Sequence, residues 1–200
     1  MHYIVLDLEW NKALTKHRRV RYPITLHGEI IQIGAVKLDE KLREVDDFNR
    51  MVKPQFYTKM HKEVEAITSI HDEDLQQGVS FPEAVEAFRQ WCGDDCILLS
   101  WGPSDIDMLI DNLIVHNLDT SWIPEPFDAQ LMFDDLETMA DRCFSLDYAV
   151  VYFRIKGNKG HNALNDARDT AAVIRNLDVA EWIKEERAYR EEQAELEQVC

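Results

Sequence analysis

Apolar residues run unbroken, or alternate with polar ones, along three early stretches of the chain, and this pattern predicts three strands. The stretches are Tyr3–Leu8, Glu29–Leu38 and Arg43–Val52. Because few residues separate the second stretch from the third, we predict an antiparallel hairpin there. Gly34, inside the second stretch, indicates a bulge or a close approach of another backbone.

Farther along the chain the apolar positions recur at helical spacing, with two short apolar runs between them. Helices are predicted from Pro82 to Gly93, Ser104 to about His116, Leu146 to Phe153, Ala163 to Leu177 and Glu181 to Glu197. Ser104 is predicted to cap its helix. The runs Cys96–Trp101 and Phe127–Phe133 are predicted as a fourth and a fifth strand.

This order of elements predicts an α/β fold, with a mixed five-stranded sheet that starts as three antiparallel strands and is flanked by helices. The three-strand start argues against a purely parallel, doubly wound sheet. No repeat or linker divides the chain, so a single domain is predicted over residues 1–200. Its highly charged end, residues 178–200, is predicted to be a helix that packs through Trp182 and Ile183.

The composition is that of an ordinary globular protein, at 46% hydrophobic and 30% charged residues. No apolar run reaches the roughly 18 residues of a membrane span, and the N-terminus lacks a signal-peptide pattern, so we expect a cytoplasmic protein with no membrane partner. The cysteines, which we expect to be reduced because their spacing fits neither a zinc site nor a disulfide framework, are Cys92, Cys96, Cys143 and Cys200.

The formal net charge of −16 argues against an extended surface that coats duplex nucleic acid, because such a surface must be basic. It does not exclude a nucleic-acid enzyme. Cations bound in a small cleft can dominate the local field and hold an anionic substrate there.

Two acids follow the first apolar run, at Asp7 and Glu9. Residues i and i+2 of a strand project from the same face, with Cα atoms about 6.6 Å apart. Two like charges in one space repel each other, and a bound divalent cation removes that cost. Oxygen-only ligation favours Mg²⁺ or Mn²⁺ over zinc. The alternative is that the strand ends here and both acids face water.

A second acidic stretch, SWGPSDIDML, follows the fourth predicted strand and opens a helix, where α/β proteins tend to place functional groups. Asp105 lies in the first helical turn, and Asp107 and Asp111 compete with it as candidates. Acids near a helix N-terminus also stabilise the helix dipole without any catalytic part, so this alternative stays open.

A third stretch, GNKGHNALNDARD, contains His161 and Asp166. Five residues on a continuous helix would separate these side chains by about 140°, so they share a site only if His161 belongs to the preceding loop. Two glycines and Asn162, a predicted cap, provide that change from loop to helix. A histidine beside metal-loaded carboxylates can act as a base, because its unperturbed pKa lies near neutrality. A surface histidine is the alternative.

Together these stretches resemble the DEDDh family of 3′–5′ exonucleases, the DnaQ-like group on a ribonuclease H-like fold. Motif one, D-x-E after a buried strand, is matched at Asp7 and Glu9. Motif two, an Asp followed by apolar residues three and four positions on, is matched at Asp105, and this register favours it over its acidic neighbours. Motif three, H-x-A-x-x-D-A, is matched in full by HNALNDA, with His161 and Asp166.

The resemblance covers residues 3–177 and implies a metal-dependent enzyme that releases nucleoside 5′-monophosphates from the 3′ end of single-stranded RNA or DNA. The acids that it implies as ligands of two divalent cations, Mg²⁺ or Mn²⁺ and about 4 Å apart, are Asp7, Glu9, Asp105 and Asp166. His161 is implied as the general base. Two alternatives stay open: a DNA proofreading or repair exonuclease of the same class, and a non-catalytic adaptor that binds nucleic acid. An adaptor would have lost a ligand or the histidine, and none is missing.

The sequence departs from the family pattern at two tryptophans. Many members carry Thr after the D-x-E glutamate, where this chain has Trp10, and Asn four residues before the motif-two Asp, where it has Trp101. The form W-G-x-x-D resembles the branch that includes RNA-trimming exonucleases of the histone-mRNA type, which favours RNA. Both rings are candidates for stacking on bases, at roughly 1–3 kcal/mol per base, with core packing as the alternative.

Basic residues are scarce in this chain, yet five of them lie between the first and second predicted strands, at Lys12, Lys16, Arg18, Arg19 and Arg21. A connection of about twenty residues is long for neighbouring strands, and long loops are often functional. We predict that the arginines guide the phosphate backbone of the substrate towards the metals. The alternative is a solvated loop that balances an acidic protein.

Overall fold

The computed structural model describes residues 1–138 and 143–199. Within these ranges the strands are β1 (His2–Asn11), β2 (Glu29–Leu38), β3 (Glu44–Lys53), β4 (Val79–Ser80), β5 (Cys96–Ser100) and β6 (Pro126–Asp128). The helices are α1 (Lys62–Thr68), α2 (Asp72–Gln77), α3 (Phe81–Cys92), α4 (Ser104–Val115), α5 (Ala129–Phe133), α6 (Leu146–Tyr152), α7 (Ala163–Ile174) and α8 (Val179–Val199).

The strands form one mixed sheet in the order β4-β3-β2-β1-β5-β6. β1, β2 and β3 pair antiparallel, whereas β5 pairs parallel to β1, and β6 parallel to β5. This confirms the predicted mixed sheet with an antiparallel start. The structure has six strands instead of five, because the two-residue β4 adds a short parallel pair at the end of β3.

Two local predictions were wrong. The run Phe127–Phe133 is a strand only to Asp128, because the Asp128 carboxylate accepts hydrogen bonds from the N–H groups of Gln130 and Leu131 and starts α5 there. Ser104 does not cap α4: it is the first helical residue, and Pro103 occupies the cap position. The sequence pattern did not predict α1 and α2, and the remaining predicted helices match the observed ones to within three residues.

The sheet separates two apolar cores, and the residues of β1 alternate between them. Ile4, Leu6 and Leu8 pack on α3 and α4, while Tyr3 and Val5 pack on the opposite side with α7 and α8. All five side chains are at most 4% exposed. Burying each large apolar side chain stabilises the fold by about 1.5–3 kcal/mol, so β1 is firmly anchored on both faces.

The C-terminal helix α8 begins on the second of these cores, where Trp182 and Ile183 are buried. Within the described ranges, no helix is long and apolar enough to cross a membrane. Cys92, Cys96 and Cys143 are free, while Cys200 lies outside the described residues. The cytoplasmic location stays a prediction.

Candidate active site

The odd-numbered face of β1 changes from apolar to acidic where β5 ends. Val5 is the last residue of β1 that pairs with β5, opposite Leu99, and Asp7 and Glu9 follow on the same face. Beyond Val5, β1 stays paired with β2 on its other side. The two carboxylates therefore project from a rigid strand at the point where the sheet opens.

Asp105 reaches this opening from the first turn of α4. Its Oδ1 accepts a hydrogen bond of 2.8 Å from the backbone N–H of Leu8, which lies past the part of β1 that β5 covers. The Asp105 residue is only 6% exposed, whereas Asp107 is exposed and lines a different cavity. Of the two neighbouring acids, the structure thus brings Asp105 to the β1 carboxylates.

His161 and Asp166 arrive together at the start of α7. Asn162 caps this helix, accepting a hydrogen bond from the N–H of Asn165, and leaves His161 in the loop before it. The N–H of His161 donates to Asp166 Oδ2 at 2.7 Å. One donor atom each from Glu9, His161 and Asp166 lies within 4.8 Å of the others, so the histidine belongs to the acidic cluster.

The loop that carries His161 is fastened to α7. Asp169 is 6% exposed and accepts hydrogen bonds from the backbone and side-chain N–H groups of Asn158, at 2.6–3.2 Å. Asn165 donates from its side chain to the carbonyl of Lys159. His161 has a φ of +58°, a left-handed conformation that is costly for a residue with a side chain. These bonds hold it in that conformation.

Two residues of β2 set how closely α7 approaches the site. A Cβ on Gly34, the residue paired with Asp7, would lie 2.1 Å from the backbone nitrogen of Leu164. Gln32, paired with Glu9, accepts a hydrogen bond from the N–H of Ala163 and donates to Asn49. Gly34 therefore makes the close backbone approach that was one of its two predicted roles.

Sequence reasoning missed Gln32. The available signal was a polar residue inside the buried run EIIQIGAV, where an unbonded amide would be costly.

The surroundings of the four acids raise their pKa values. Burial raises the pKa of Asp7 well above its usual value, and the charges of Asp105, Asp166 and Glu9 raise it further. The pKa of Glu9 rises to about 8, through burial and the charges of Asp166 and Asp105. The pKa of Asp105 rises to about 7, mainly through burial, although the Leu8 N–H opposes this. Burial also raises the pKa of Asp166.

The four acids with raised pKa values form a suitable site for divalent cations. Four carboxylates that repel one another in a buried corner lose that repulsion when a doubly charged ion lies between them. All four donors are oxygen, the ligand type that Mg²⁺ and Mn²⁺ prefer. The residues that could hold such ions are Asp7, Glu9, Asp105 and Asp166.

A cavity of about 420 Å³ opens onto the cluster, and Asp7, His161 and Asp166 line it. Trp101 and Leu146 form its apolar wall. The indole N–H of Trp101 donates to the carbonyl of Phe144 at 3.2 Å, which fixes the plane of the ring. Leu146 was not among the predicted site residues, because nothing in the sequence distinguishes it from a core leucine.

Trp10 lies elsewhere, against the core on the α4 side of the sheet. A Cβ on Gly28 would lie 2.4 Å from Trp10 Cδ1, so the indole packs directly on that glycine. Of the described residues that line the cavity, Trp101 is the only tryptophan. The two predicted stacking residues thus have different surroundings.

The basic loop follows β1 directly. Lys12 pairs with Glu63 at 2.8 Å. In contrast, the side chains of Arg18, Arg19 and Arg21 form no hydrogen bond or ion pair with any residue in the described ranges.

The comparisons with known proteins agree with this geometry. A family model described as Exonuclease, of the RNase T type, matches residues 4–174. No curated protein matches the sequence significantly. Among solved structures, the chain is similar to the nuclease domain of 3′hExo, a DEDDh family member bound to rAMP, with a TM-score of 0.74 and 16% identity over 88% of this chain and 90% of that one.

Two further structures share the fold. Cell-death related nuclease 4 (CRN-4) matches with a TM-score of 0.72 and 17% identity, over 88% of this chain and 62% of that one. E. coli exonuclease I in complex with a dA16 oligonucleotide matches with a TM-score of 0.68 and 14% identity, over 87% of this chain and 40% of that one. The chain thus spans less than two thirds of either protein. With the family model covering most of its length, this chain belongs to the DEDDh exonuclease family, on the ribonuclease H-like fold.

Proposed function

We propose that this protein is a 3′–5′ exonuclease that releases nucleoside 5′-monophosphates from single-stranded nucleic acid, with RNA favoured over DNA, and that residues 1–200 act as one exonuclease domain. The observation that carries the proposal is the meeting of carboxylates from β1, α4 and α7 beside a histidine. Four carboxylates in one buried cluster destabilise the folded protein when no cation is bound. Clusters of acids with raised pKa values are typical of functional sites.

The acids and the histidine have separate roles in this proposal. Asp7, Glu9, Asp105 and Asp166 hold two divalent cations, Mg²⁺ or Mn²⁺. When bound, these cations would lower the pKa of a water molecule and stabilise the leaving 3′ oxygen. His161 accepts the proton of the attacking water, and its exposed position lets that proton pass on to solvent. A general base of this kind contributes about 10²–10⁴-fold to the rate.

Substrate recognition combines stacking with charge. Trp101 lines the cavity together with Asp7, which supports stacking of its ring on the terminal base. Trp10 is the weaker candidate for stacking on a base, because its indole packs on Gly28. Arg18, Arg19 and Arg21, which are unpaired among the described residues, lie in the loop that follows β1 and attract the phosphate backbone of the substrate.

The preference for RNA is supported by the W-G-x-x-D form at Trp101 and by two similar structures. One is the rAMP-bound 3′hExo nuclease domain, and the other concerns recognition of the histone mRNA stem-loop by a 3′-exonuclease, with a TM-score of 0.75 and 16% identity. The similarity to exonuclease I bound to a DNA oligonucleotide supports DNA as the alternative substrate.

The deciding experiment incubates matched 5′-labelled RNA and DNA oligomers with the protein and Mg²⁺ or Mn²⁺. We expect a ladder that shortens from the 3′ end, faster on RNA, and no reaction in EDTA. The Asp7→Asn protein controls for a contaminating nuclease. Binding of both oligomers without any shortening would identify an adaptor instead, and faster DNA shortening would reverse the sugar preference.

A further inference from the structure

A second, smaller cavity lies between the basic loop, which directly follows the strand that carries Asp7 and Glu9, and the segment 55–61 that follows β3. Its volume is about 90 Å³, and the cations that line it are Lys12, Arg18 and Lys59. The other lining residues are uncharged: Ala13, Leu14, Phe56, Tyr57 and Thr58. In a chain with a net charge of −16, a cavity lined by three cations and no acid is exceptional.

One wall of this cavity is an irregular segment that two buried polar side chains hold in place. Asn11 is 0% exposed; it donates to the carbonyls of Tyr57 and Lys59 and accepts from the N–H of His61. Glu29 is 1% exposed and accepts from the N–H groups of the three consecutive residues 55–57. Segments without regular structure are usually mobile, but here six backbone groups are fixed from the sheet.

The opposite wall, the basic loop, is fastened to the same segment. The hydroxyl of Tyr57 donates to the carbonyl of Leu26 at 2.8 Å and accepts from the N–H of Val20 at 3.1 Å. Both walls are therefore set before a ligand arrives. A preformed site loses less entropy on binding than one that must be ordered.

The three cations differ in how strongly they are already paired. Lys12 contacts Glu63 and Lys59 contacts Asp72, in exposed ion pairs that are weak because water and salt screen them. Arg18 has no such partner among the described residues. An anion in the cavity would pair with the guanidinium of Arg18, which has no competing partner among the described residues. For the ammonium groups of Lys12 and Lys59 it would compete only with these weak ion pairs.

The size of the cavity selects the ligand. A volume of 90 Å³ equals the liquid volume of about three water molecules, which suits a group with a few oxygen atoms. It is too small for a nucleobase together with its sugar, since ligand sites of that kind start at about 300 Å³.

We propose that this cavity, defined by Lys12, Arg18 and Lys59, binds one phosphodiester group of the substrate strand. This rests on the function proposed above, in which the 3′-terminal nucleotide occupies the active site. Lys12 follows Glu9 by three residues and is the first residue after β1, so extended backbone of about 10 Å separates the two at the usual rise. The rest of the substrate must leave the active site in its 5′ direction, so the bound group is a backbone phosphate on the 5′ side of the scissile bond.

The experiment moves a single uncharged methylphosphonate linkage along a single-stranded oligomer, one position at a time, and measures KM for each. With the wild-type protein, we expect one position upstream of the terminal linkage where KM rises about tenfold, because a hydrogen-bonded charge is lost there. In Arg18→Ala/Lys59→Ala, KM for the unmodified oligomer rises similarly, and the modification at that position has no further effect.

Arg19→Ala/Arg21→Ala is the matched control, because these arginines belong to the same loop but do not line the cavity. We expect it to weaken binding to every oligomer and to keep the sensitive position. Lys41→Ala, in the β2–β3 turn at the other end of the sheet, should leave all values unchanged. Equal melting temperatures show that the variants are folded.

Two failures are distinguishable. A wild-type protein that shortens all oligomers with no sensitive position, or a position that stays sensitive in Arg18→Ala/Lys59→Ala, overturns the phosphate site and leaves the exonuclease function intact. A protein that binds the oligomers but shortens none overturns the exonuclease function. Measuring Kd instead of KM for each position of the methylphosphonate linkage then still tests the phosphate site.

Discussion

On one face of β1, Ile4, Leu6 and Leu8 are all buried against α3 and α4, whereas the other face changes from Tyr3 and Val5 to Asp7 and Glu9 within a few residues. The first face lowers the free energy of the fold through apolar burial alone. The second face does so only until β5 ends, and then carries carboxylates whose pKa values are raised by burial and mutual repulsion.

This difference shows where the fold can tolerate an unfavourable group. Paired on one side with β2 and anchored by apolar side chains on both faces, β1 keeps its acids in place despite their repulsion. Substitutions of the apolar residues of β1 should therefore lower stability, whereas substitutions of its acids should lower activity. The experiments below test that separation, in order of their expected effect on turnover.

Asp7→Asn should have the largest effect, lowering kcat by about 10³-fold or more, because the variant loses one of the four proposed cation ligands. Its metal-free melting temperature should be unchanged or higher, because one repelling charge is gone. Steady-state kinetics and thermal unfolding of the same preparation measure both. Full activity would remove Asp7 from the ligand set.

His161→Ala should lower kcat by about 10²-fold, since the proposed general base is lost while the carboxylates remain. Calorimetric titration with Mn²⁺ should show nearly unchanged cation binding. His2→Ala, an exposed histidine at the opposite end of β1, is the control and should behave as wild type. Unchanged turnover in His161→Ala would contradict the base assignment.

Gly34→Ala should lower kcat by about tenfold and the free energy of unfolding by about 1–3 kcal/mol, because the added Cβ overlaps the backbone of Leu164. The start of α7 must move, and it carries Asp166 and His161. Kinetics below the melting temperature separate the two effects. A normal kcat would show that α7 can shift without disturbing the site.

Metal-free stability should depend on pH through Glu9. Its pKa is raised from 4.5 to about 8, so the folded state holds this proton more tightly than the unfolded chain does. The resulting stabilisation is present below pH 4.5 and is lost as the pH rises towards 8. Glu9→Gln should reduce the fall in melting temperature over this range by a few degrees, and Mg²⁺ should raise the wild-type value most at pH 8. Parallel curves for both proteins would refute this.

Leu6→Ala, on the packing face, should have the smallest effect on turnover. It should lower the free energy of unfolding by about 2–5 kcal/mol because a fully buried side chain leaves a cavity. At temperatures where the variant is folded, kcat should match the wild type. A loss of kcat as large as that in Gly34→Ala would show that the two faces are not separable.

Local pattern was enough to predict much of the fold. Alternation along β1 placed Asp7 and Glu9 on one face, and the glycines with Asn162 predicted the change from loop to helix before α7. It failed at Phe127–Phe133, because a short apolar run reads equally well as strand or helix and the Asp128 side chain decides between them. It also failed at β4, which is too short to show a period.

The sequence by itself determined the acids, their order and the strand face or helix turn that carries each, because these depend on neighbours a few residues away. Only the tertiary structure decided which groups meet: Asp105 reaches Leu8 across 97 residues, and Gln32 holds Ala163 across 131. It also decided that Trp101 lines the active-site cavity while Trp10 packs on Gly28. Burial and long-range contact set the surroundings of a side chain, and neither is encoded in the spacing of residues along the chain.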